Sequence, residues 1–271
     1  MLGGKKTSGL IVIGMLFITL ASLMTTQPAY ANPVCGSTIT GTVKLTANLA
    51  CGVGDGLVIS SSSVTLNCAG HSIMSSSHGY AGISVVGSAG TPLTGLTVEN
   101  CVVQGWQTGV LLDFVANSII KKNTATGNFV YGFFLGGTGS SDCHTNTLSD
   151  NTASDNSGNS GFNLDNCASN TLKGNKASHN TGDGFNIGET SDSNTIGGSS
   201  TTGNTASSNT GDGFRIDFGS GNKLSYNKAN SNAAYGYQDL TTGAGTAGTA
   251  NTYKKDACSL NTLGCSSPAG L

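Results

Sequence analysis

Gly184-Phe185-Asn186-Ile187 and Gly213-Phe214-Arg215-Ile216 are two copies of one phrase. It recurs as Gly109-Val110-Leu111-Leu112, Gly132-Phe133-Phe134-Leu135, Gly161-Phe162-Asn163-Leu164 and Gly236-Tyr237-Gln238. The glycines are spaced 23, 29, 23, 29 and 23 residues apart. Recurrence at such a period marks a solenoid, in which each repeat buries its apolar residues only by stacking on its neighbours.

Inside the phrase the pattern alternates as a strand does. Phe162 and Leu164 fall on one face, Asn163 and Asp165 on the other. The inward ladder therefore reads Val110, Phe133, Phe162, Phe185, Phe214 and Tyr237, with Leu112, Leu135, Leu164, Ile187 and Ile216 beside it. A second set of markers falls between the phrases. Asn123, Asn151, Asn175, Asn204 and Asn227 are each followed by Thr or Lys and then Ala, and five residues later come Asn128, Asn156, Asn180, Asn209 and Asn232. Asparagine tolerates left-handed backbone at bends, and stacked amides can bond along an axis, so these residues read as turn builders. A coil of 23 residues with three short apolar runs predicts a parallel β-helix. The 29-residue coils carry extra residues around Gly137 to Cys143 and around Ser199 to Gly203.

Composition bounds the setting. Lys5 and Lys6, the apolar run Leu10 to Met24 and Ala29-Tyr30-Ala31 read as a cleavable export signal over residues 1–31, with no membrane span left after cleavage. About 240 residues remain, enough for one elongated domain. A formal net charge of -2 leaves no electrostatic footprint for nucleic acid. Eight cysteines in an exported chain imply disulfides. Cys143 and Cys167 each lie three residues before an Asn-Thr-Leu, so they stack on successive coils and pair, the ~4.8 Å strand spacing suiting a disulfide. A looser alignment stacks Cys68 on Cys101; the alternative there is two reduced core thiols. Cys35–Cys51 and Cys258–Cys265 then close loops at the two ends. The expected organisation is a β-helix domain over 32–257, its N-terminal cap at about 35–51, and a disulfide-closed tail over 258–271 reached through a linker-like Thr241 to Ala250.

Asp55-Gly56-Leu57-Val58-Ile59, the run Val64 to Ile73 and the Asn-Thr-Ala-x-x-Asn repeats resemble the right-handed parallel β-helix proteins of the pectin-lyase-like superfold, in particular exported relatives of the copper-associated NosD-type periplasmic family. The resemblance covers about residues 35 to 257. It implies an all-β, right-handed solenoid of roughly nine coils with capped ends, and it says little about activity, because the superfold hosts many functions. Copper is poorly served: only Met74 of the four methionines lies beyond the leader, and His71, His78, His144 and His179 show no ligand spacing.

Chemistry is sought on the outward face of the repeated strand. Its first row reads Leu111, Phe134, Asn163, Asn186, Arg215, Gln238; its second reads Asp113, Gly136, Asp165, Gly188, Asp217. Asp165 and Asp217 stand two coils, or ~10 Å, apart, close to the gap an inverting glycosidase keeps between its carboxyls. The β-helix resemblance implies a lyase-like alternative, with Arg215 as base or as clamp for an acidic sugar, Asp165 and Asp217 holding a cation or a hydroxyl, and Phe134 stacking on a ring. Asn163 and Asn186 join as substrate contacts. A plainer reading has Arg215 pair with aspartates on a solvated face. Asp183 and Asp212 sit in identical Asn-Thr-Gly-Asp-Gly-Phe stretches one coil apart; they are a candidate Ca²⁺ pair or splay into water. The polygalacturonase motif set is absent, and no cofactor is required by any sequence feature. The leading expectation is a monomeric, exported protein that binds polysaccharide or cell-envelope glycan along its strand face. The rivals are a lyase on uronate polymers and a structural or adhesive solenoid.

Overall fold

The computed structural model describes residues 32–139 and 141–271, and the expected export signal lies outside them. The chain winds as a parallel β-solenoid of about nine coils. Each full coil contributes one short strand to each of three sheets. The first sheet has ten strands, from Ser37–Ile39 through Phe162–Leu164, Phe185–Ile187 and Phe214–Ile216 to Gly264–Ser267. The second has nine, from Thr42–Lys44 to Thr252–Lys254, and the third nine, from Leu49–Cys51 to Ala257–Ser259. Among the described residues no helix is long and apolar enough to cross a membrane.

The register follows the glycine phrase. Phe133, Phe162, Phe185, Phe214 and Tyr237 pair in sequence. Their rings stack at centroid spacings of 4.7, 4.8, 4.7 and 5.1 Å, the offset imposed by one strand separation. The third sheet offers the same core a ladder of small residues, Ala125, Ala153, Ala177, Ala206 and Ala229, all fully buried. Large and small side chains thus alternate around each coil at constant cross-section. The invariant glycine has a packing cause. A Cβ on Gly184 would lie 2.6 Å from the Gly213 carbonyl oxygen and 2.7 Å from the Ala206 methyl, so no side chain fits at the start of that strand.

Asparagine ladders seal the corners. The Asn175 side-chain amide donates to Asn204 Oδ1 at 3.0 Å and to the Leu148 carbonyl at 2.9 Å, while Asn204 Oδ1 also accepts the Asn175 main-chain N–H at 2.9 Å. The same scheme links Asn128, Asn156, Asn180, Asn209, Asn232 and Asn261. A third ladder, Asn146, Asn170, Asn194, Asn222 and Asn251, runs along the remaining corner. The left-handed bend falls one residue before the asparagine rather than on it: Lys122, Asp150, Gly174 and Tyr226 carry positive φ ahead of Asn123, Asn151, Asn175 and Asn227. The bend residue points to solvent, where any side chain fits. The asparagine behind it turns inward, and its amide satisfies main-chain groups that the bend would leave unpaired.

All four disulfides form with the expected partners: Cys35–Cys51, Cys68–Cys101, Cys143–Cys167 and Cys258–Cys265. Cys68 and Cys101 are therefore not reduced thiols. Cys143 and Cys167 are direct register partners, Cα atoms 4.6 Å apart. Cys35 to Cys51 holds the first strand of each sheet, and Ala257–Ser259 and Gly264–Ser267 continue the third and first sheets. The end segments are thus coils themselves. The corner ladders explain the continuation at the C-terminal end, since Asn251, Asp256 and Asn261 take the corner positions of one more turn. The Thr241 to Ala250 segment makes an ordered corner with a short 3-10 turn at Thr246–Gly248.

Candidate functional site

The outward row of the first sheet stands in register from Leu111 through Phe134, Asn163, Asn186 and Arg215 to Gln238. Strand alternation puts each of these side chains opposite the phenylalanine stack. Arg215 sits at the centre of a network. Its Nε donates to Asp217 Oδ1 at 2.8 Å, its Nη1 donates to Gln238 Oε1, and Nη1 lies 3.5 Å from Asp212 Oδ2. The side chain remains 32% exposed, so one edge of the guanidinium faces solvent.

Asp183 and Asp212 stand one coil apart, as the identical stretches require. Asp183 Oδ1 accepts the Asp212 main-chain N–H at 2.7 Å, and Asp212 Oδ1 accepts that of Tyr235 at 2.7 Å. Each carboxyl thus spends an oxygen holding the next coil, and the other Asp212 oxygen faces Arg215. These two carboxyls alone do not fill a Ca²⁺ shell of six to eight, and among the described residues no group of three or more His, Cys, Asp or Glu gathers around them.

Burial pushes the Asp183 carboxyl up to about 6, with the Asp212 charge adding to the rise and Arg215 opposing it. Burial also raises Asp212. Asp165 is raised by burial, then by Glu189 and Asp217. The Asp165 carboxylate lies over Gly188, whose missing Cβ makes the room, and so reaches toward Asp217 along the axis. Arg215 is raised: its own desolvation is outweighed by the surrounding aspartates. A guanidinium held this way stays protonated and cannot act as a base. The carboxyls of Asp183, Asp212 and Asp217 act on this one cation, and that of Asp165, with Glu189 beside it, adjoins Asp217 on the same side, so five carboxyls share one guanidinium.

Two polar atoms on the same row are left over. Asn186 Oδ1 is buried without a hydrogen-bond partner, and Asn163 Nδ2 has none beyond a loose approach to the Asp165 carboxyl, whose rise in pKa it opposes. Phe134 is half-buried, its ring 5.2 Å from that of Tyr131. The hydroxyl of Tyr131 accepts from Asn159, and burial and the Asp165 charge raise its pKa. Beside Asp217 opens a cleft of about 370 Å³ lined by Phe218, Ser220, Leu240, Thr241, Thr242 and Ala250. Phe218 is 74% exposed and Leu240 53%. The sequence places Arg215, Asp165, Asp217, Asn163 and Asn186 on the outward face and stacks Asp183 on Asp212 as a separate pair; the structure joins the two groups through Arg215, and Phe218, Leu240 and Tyr131 were passed over. The available signal was an aromatic directly after Ile216-Asp217, where the two preceding coils carry Asn166 and Glu189.

With this geometry in hand, the comparisons identify the family. The model of the right-handed β-helix region matches residues 36–200 and 81–253. The chain belongs to the right-handed β-helix family. It is similar in structure to the periplasmic alginate epimerase AlgG: to a double mutant at TM-score 0.64 and 16% identity, over 81% of this chain and 51% of that one. To the unsubstituted AlgG the values are TM-score 0.59 and 13% identity, over 82% of this chain and 57% of that one. The chain thus spans about half the length of these structures, and at such identities the likeness is one of fold. No curated protein matches in sequence.

Proposed function

We propose that this right-handed β-helix protein binds an extended, uncharged glycan along the outward face of its first sheet, outside the cytoplasm. The observation that carries the reading is the juxtaposition at Arg215. The Asp217 carboxylate, bonded to the Arg215 guanidinium, lines one cleft with the exposed ring of Phe218, while buried amide atoms of Asn163 and Asn186 continue the Arg215 row. Fixed polar groups next to an aromatic surface suit sugar hydroxyls and the apolar face of a pyranose. Asp165 adds a further acceptor, and Phe134 with Tyr131 a second aromatic patch.

The polysaccharide class is supported by the fold shared with an alginate epimerase. A uronate chain fits this face poorly, since five carboxyls against one guanidinium repel a polyanion. This counts against the lyase alternative, as does an arginine that cannot accept a proton. Catalysis on a neutral glycan would fall to Asp183, whose pKa near 6 suits proton transfer. Four disulfides and the leader-like residues 1–31 support an exported protein.

The test is affinity electrophoresis and calorimetry of the oxidised protein on neutral glycans (xylan, mannan, mixed-linkage glucan) and acidic ones (alginate, polygalacturonate), with product analysis after incubation. A neutral glycan should be retained, and Phe218→Ala should weaken it about tenfold, the value of one aromatic contact. Addition of Ca²⁺ or a chelator should leave retention unchanged. No retention of any neutral glycan, or retention indifferent to Phe218→Ala and Arg215→Ala, overturns the reading.

A further inference from the structure

The cations of this chain are segregated. Among the described residues, Arg215 is the sole cation on the first sheet. The lysines all lie on the second sheet, the third sheet or the corner between them. Six of them, Lys173, Lys176, Lys223, Lys228, Lys254 and Lys255, fall within four successive coils at that corner, and all six are exposed. Register fixes their row. Lys176 pairs with Thr205 and Thr205 with Lys228, so these two lysines stand two coils, ~10 Å, apart on one line parallel to the axis. Lys173 and Lys254 stand three coils apart on the facing line of the second sheet, and Lys223, paired with Thr195 and Thr252, stands two residues upstream of it.

No lysine of this stripe is held in an ion pair: among the described residues the salt bridges are one between Lys121 and Glu99 and two made by Arg215. The acid within the stripe, Asp256, is committed elsewhere: Oδ1 accepts the Asn227 N–H and side-chain amide, and Oδ2 accepts the Lys254 N–H. Towards the N-terminal end, Asp150 occupies the corner position between Lys122 and Gly174 and ends the stripe. Lysines repelling one another on a rigid scaffold, in a protein of net negative charge, form a surface complementary to a linear polyanion.

We propose that this lysine corner is a second binding surface, for an acidic polysaccharide lying parallel to the solenoid axis. A band of lysines spread along four coils suits an extended chain that carries a carboxylate on each sugar. A single-stranded nucleic acid needs stacking platforms, and the one aromatic ring within the row, Tyr226, is covered by the Lys255 ammonium 5.2 Å from its centroid. A membrane surface needs large apolar side chains among the lysines, and the outward register neighbours of Lys173, Lys176, Lys223 and Lys228 are Thr, Ser and, beside Lys228, the small Ala257. The surface is distinct from the Arg215 face, so either proposal stands if the other fails.

The test measures binding of the oxidised protein to polygalacturonate, with methyl-esterified pectin, a thymidine oligonucleotide and anionic vesicles as competing probes. Polygalacturonate should bind at 50 mM NaCl and weaken at least about tenfold at 200 mM. A Lys173→Gln, Lys176→Gln, Lys223→Gln, Lys228→Gln variant should lose at least about tenfold, since each lysine contributes separately. Lys228→Glu alone should give an intermediate loss. Lys44→Gln with Lys122→Gln, beyond Asp150, and Phe218→Ala should leave binding unchanged. Equal binding by the quadruple variant, no binding at low salt, or tighter binding of the oligonucleotide or vesicles than of polygalacturonate overturns the proposal.

Discussion

Replacing Asp183 by asparagine should stabilise the protein, and only above acidic pH. The Asp183 carboxyl holds the Asp212 N–H and lies beside the Asp212 carboxyl, and burial drives its pKa to about 6 from an ordinary 3.8. Between about pH 4 and pH 6 the folded protein keeps a proton that the unfolded chain has released. Stability therefore falls as pH rises through that window and levels off above it. At ~1.36 kcal/mol per pH unit the ceiling is about 3 kcal/mol, and solvent contact with this half-buried group trims it to roughly 2. Asparagine keeps the oxygen that accepts the Asp212 N–H and carries no charge. Calorimetric scans of both proteins at pH 4.0, 6.0 and 7.5 read the effect. The variant should match the parent at pH 4.0 and melt roughly 4–8 °C higher at pH 7.5, at the 2–4 °C per kcal/mol expected for a chain of this length. A difference that is the same at all three pH values, or a variant destabilised at pH 7.5, would refute the reasoning.

Gly184→Ala should destabilise by about 2–4 kcal/mol, because its methyl would meet the Gly213 carbonyl at 2.6 Å and the Asn209 amide at 2.9 Å; denaturant unfolding reads it. Asn180→Ala should cost about 2–4 kcal/mol by removing the acceptor of the Asn156 main-chain N–H and side-chain amide and the donor to the Ala153 carbonyl and Asn209 Oδ1, with faster amide exchange confined to the adjoining coils. Cys143→Ser with Cys167→Ser should lower stability by about 3 kcal/mol, the loop-closure value for a separation of 24 residues, with no change in glycan retention.

The solenoid could be read from the sequence because stacking is a local rule repeated. A glycine, a ring and an aliphatic residue recur at one register, and Cys143 against Cys167 follows from it directly. The third asparagine ladder escaped notice although its phrase is present: Asn146, Asn170 and Asn194 are followed by Thr and a bulky apolar residue instead of alanine. The left-handed bends were assigned to the asparagines, whereas Lys122, Asp150 and Tyr226 bear them, because sequence preference names the residue that tolerates a bend and not the one that needs a buried partner. Register was enough to place Arg215 on the outward row with Asp165 and Asp217 and to stack Asp183 on Asp212, but not to join the two groups, which meet at the contact between Arg215 and Asp212. It could not reveal how their oxygens are spent, since hydrogen bonds to the Asp212 and Tyr235 N–H groups depend on how each corner closes. Phe218 and Leu240 lie outside the repeat, so periodicity says nothing about them. The end segments resembled caps because their spacing departs from the internal period, yet Asp256 and Asn261 still take the corner positions.

The most direct test of the glycan-binding face is saturation-transfer NMR between the oxidised protein and a neutral oligosaccharide selected from the panel, with the aromatic protons of Phe218 and its neighbours irradiated. Transfer to the sugar ring protons, lost in Phe218→Ala and reduced in Arg215→Ala while the lysine variant keeps it, is the predicted result. Transfer that survives Phe218→Ala undiminished, or that vanishes only in the lysine variant, would place the sugar elsewhere and contradict the account.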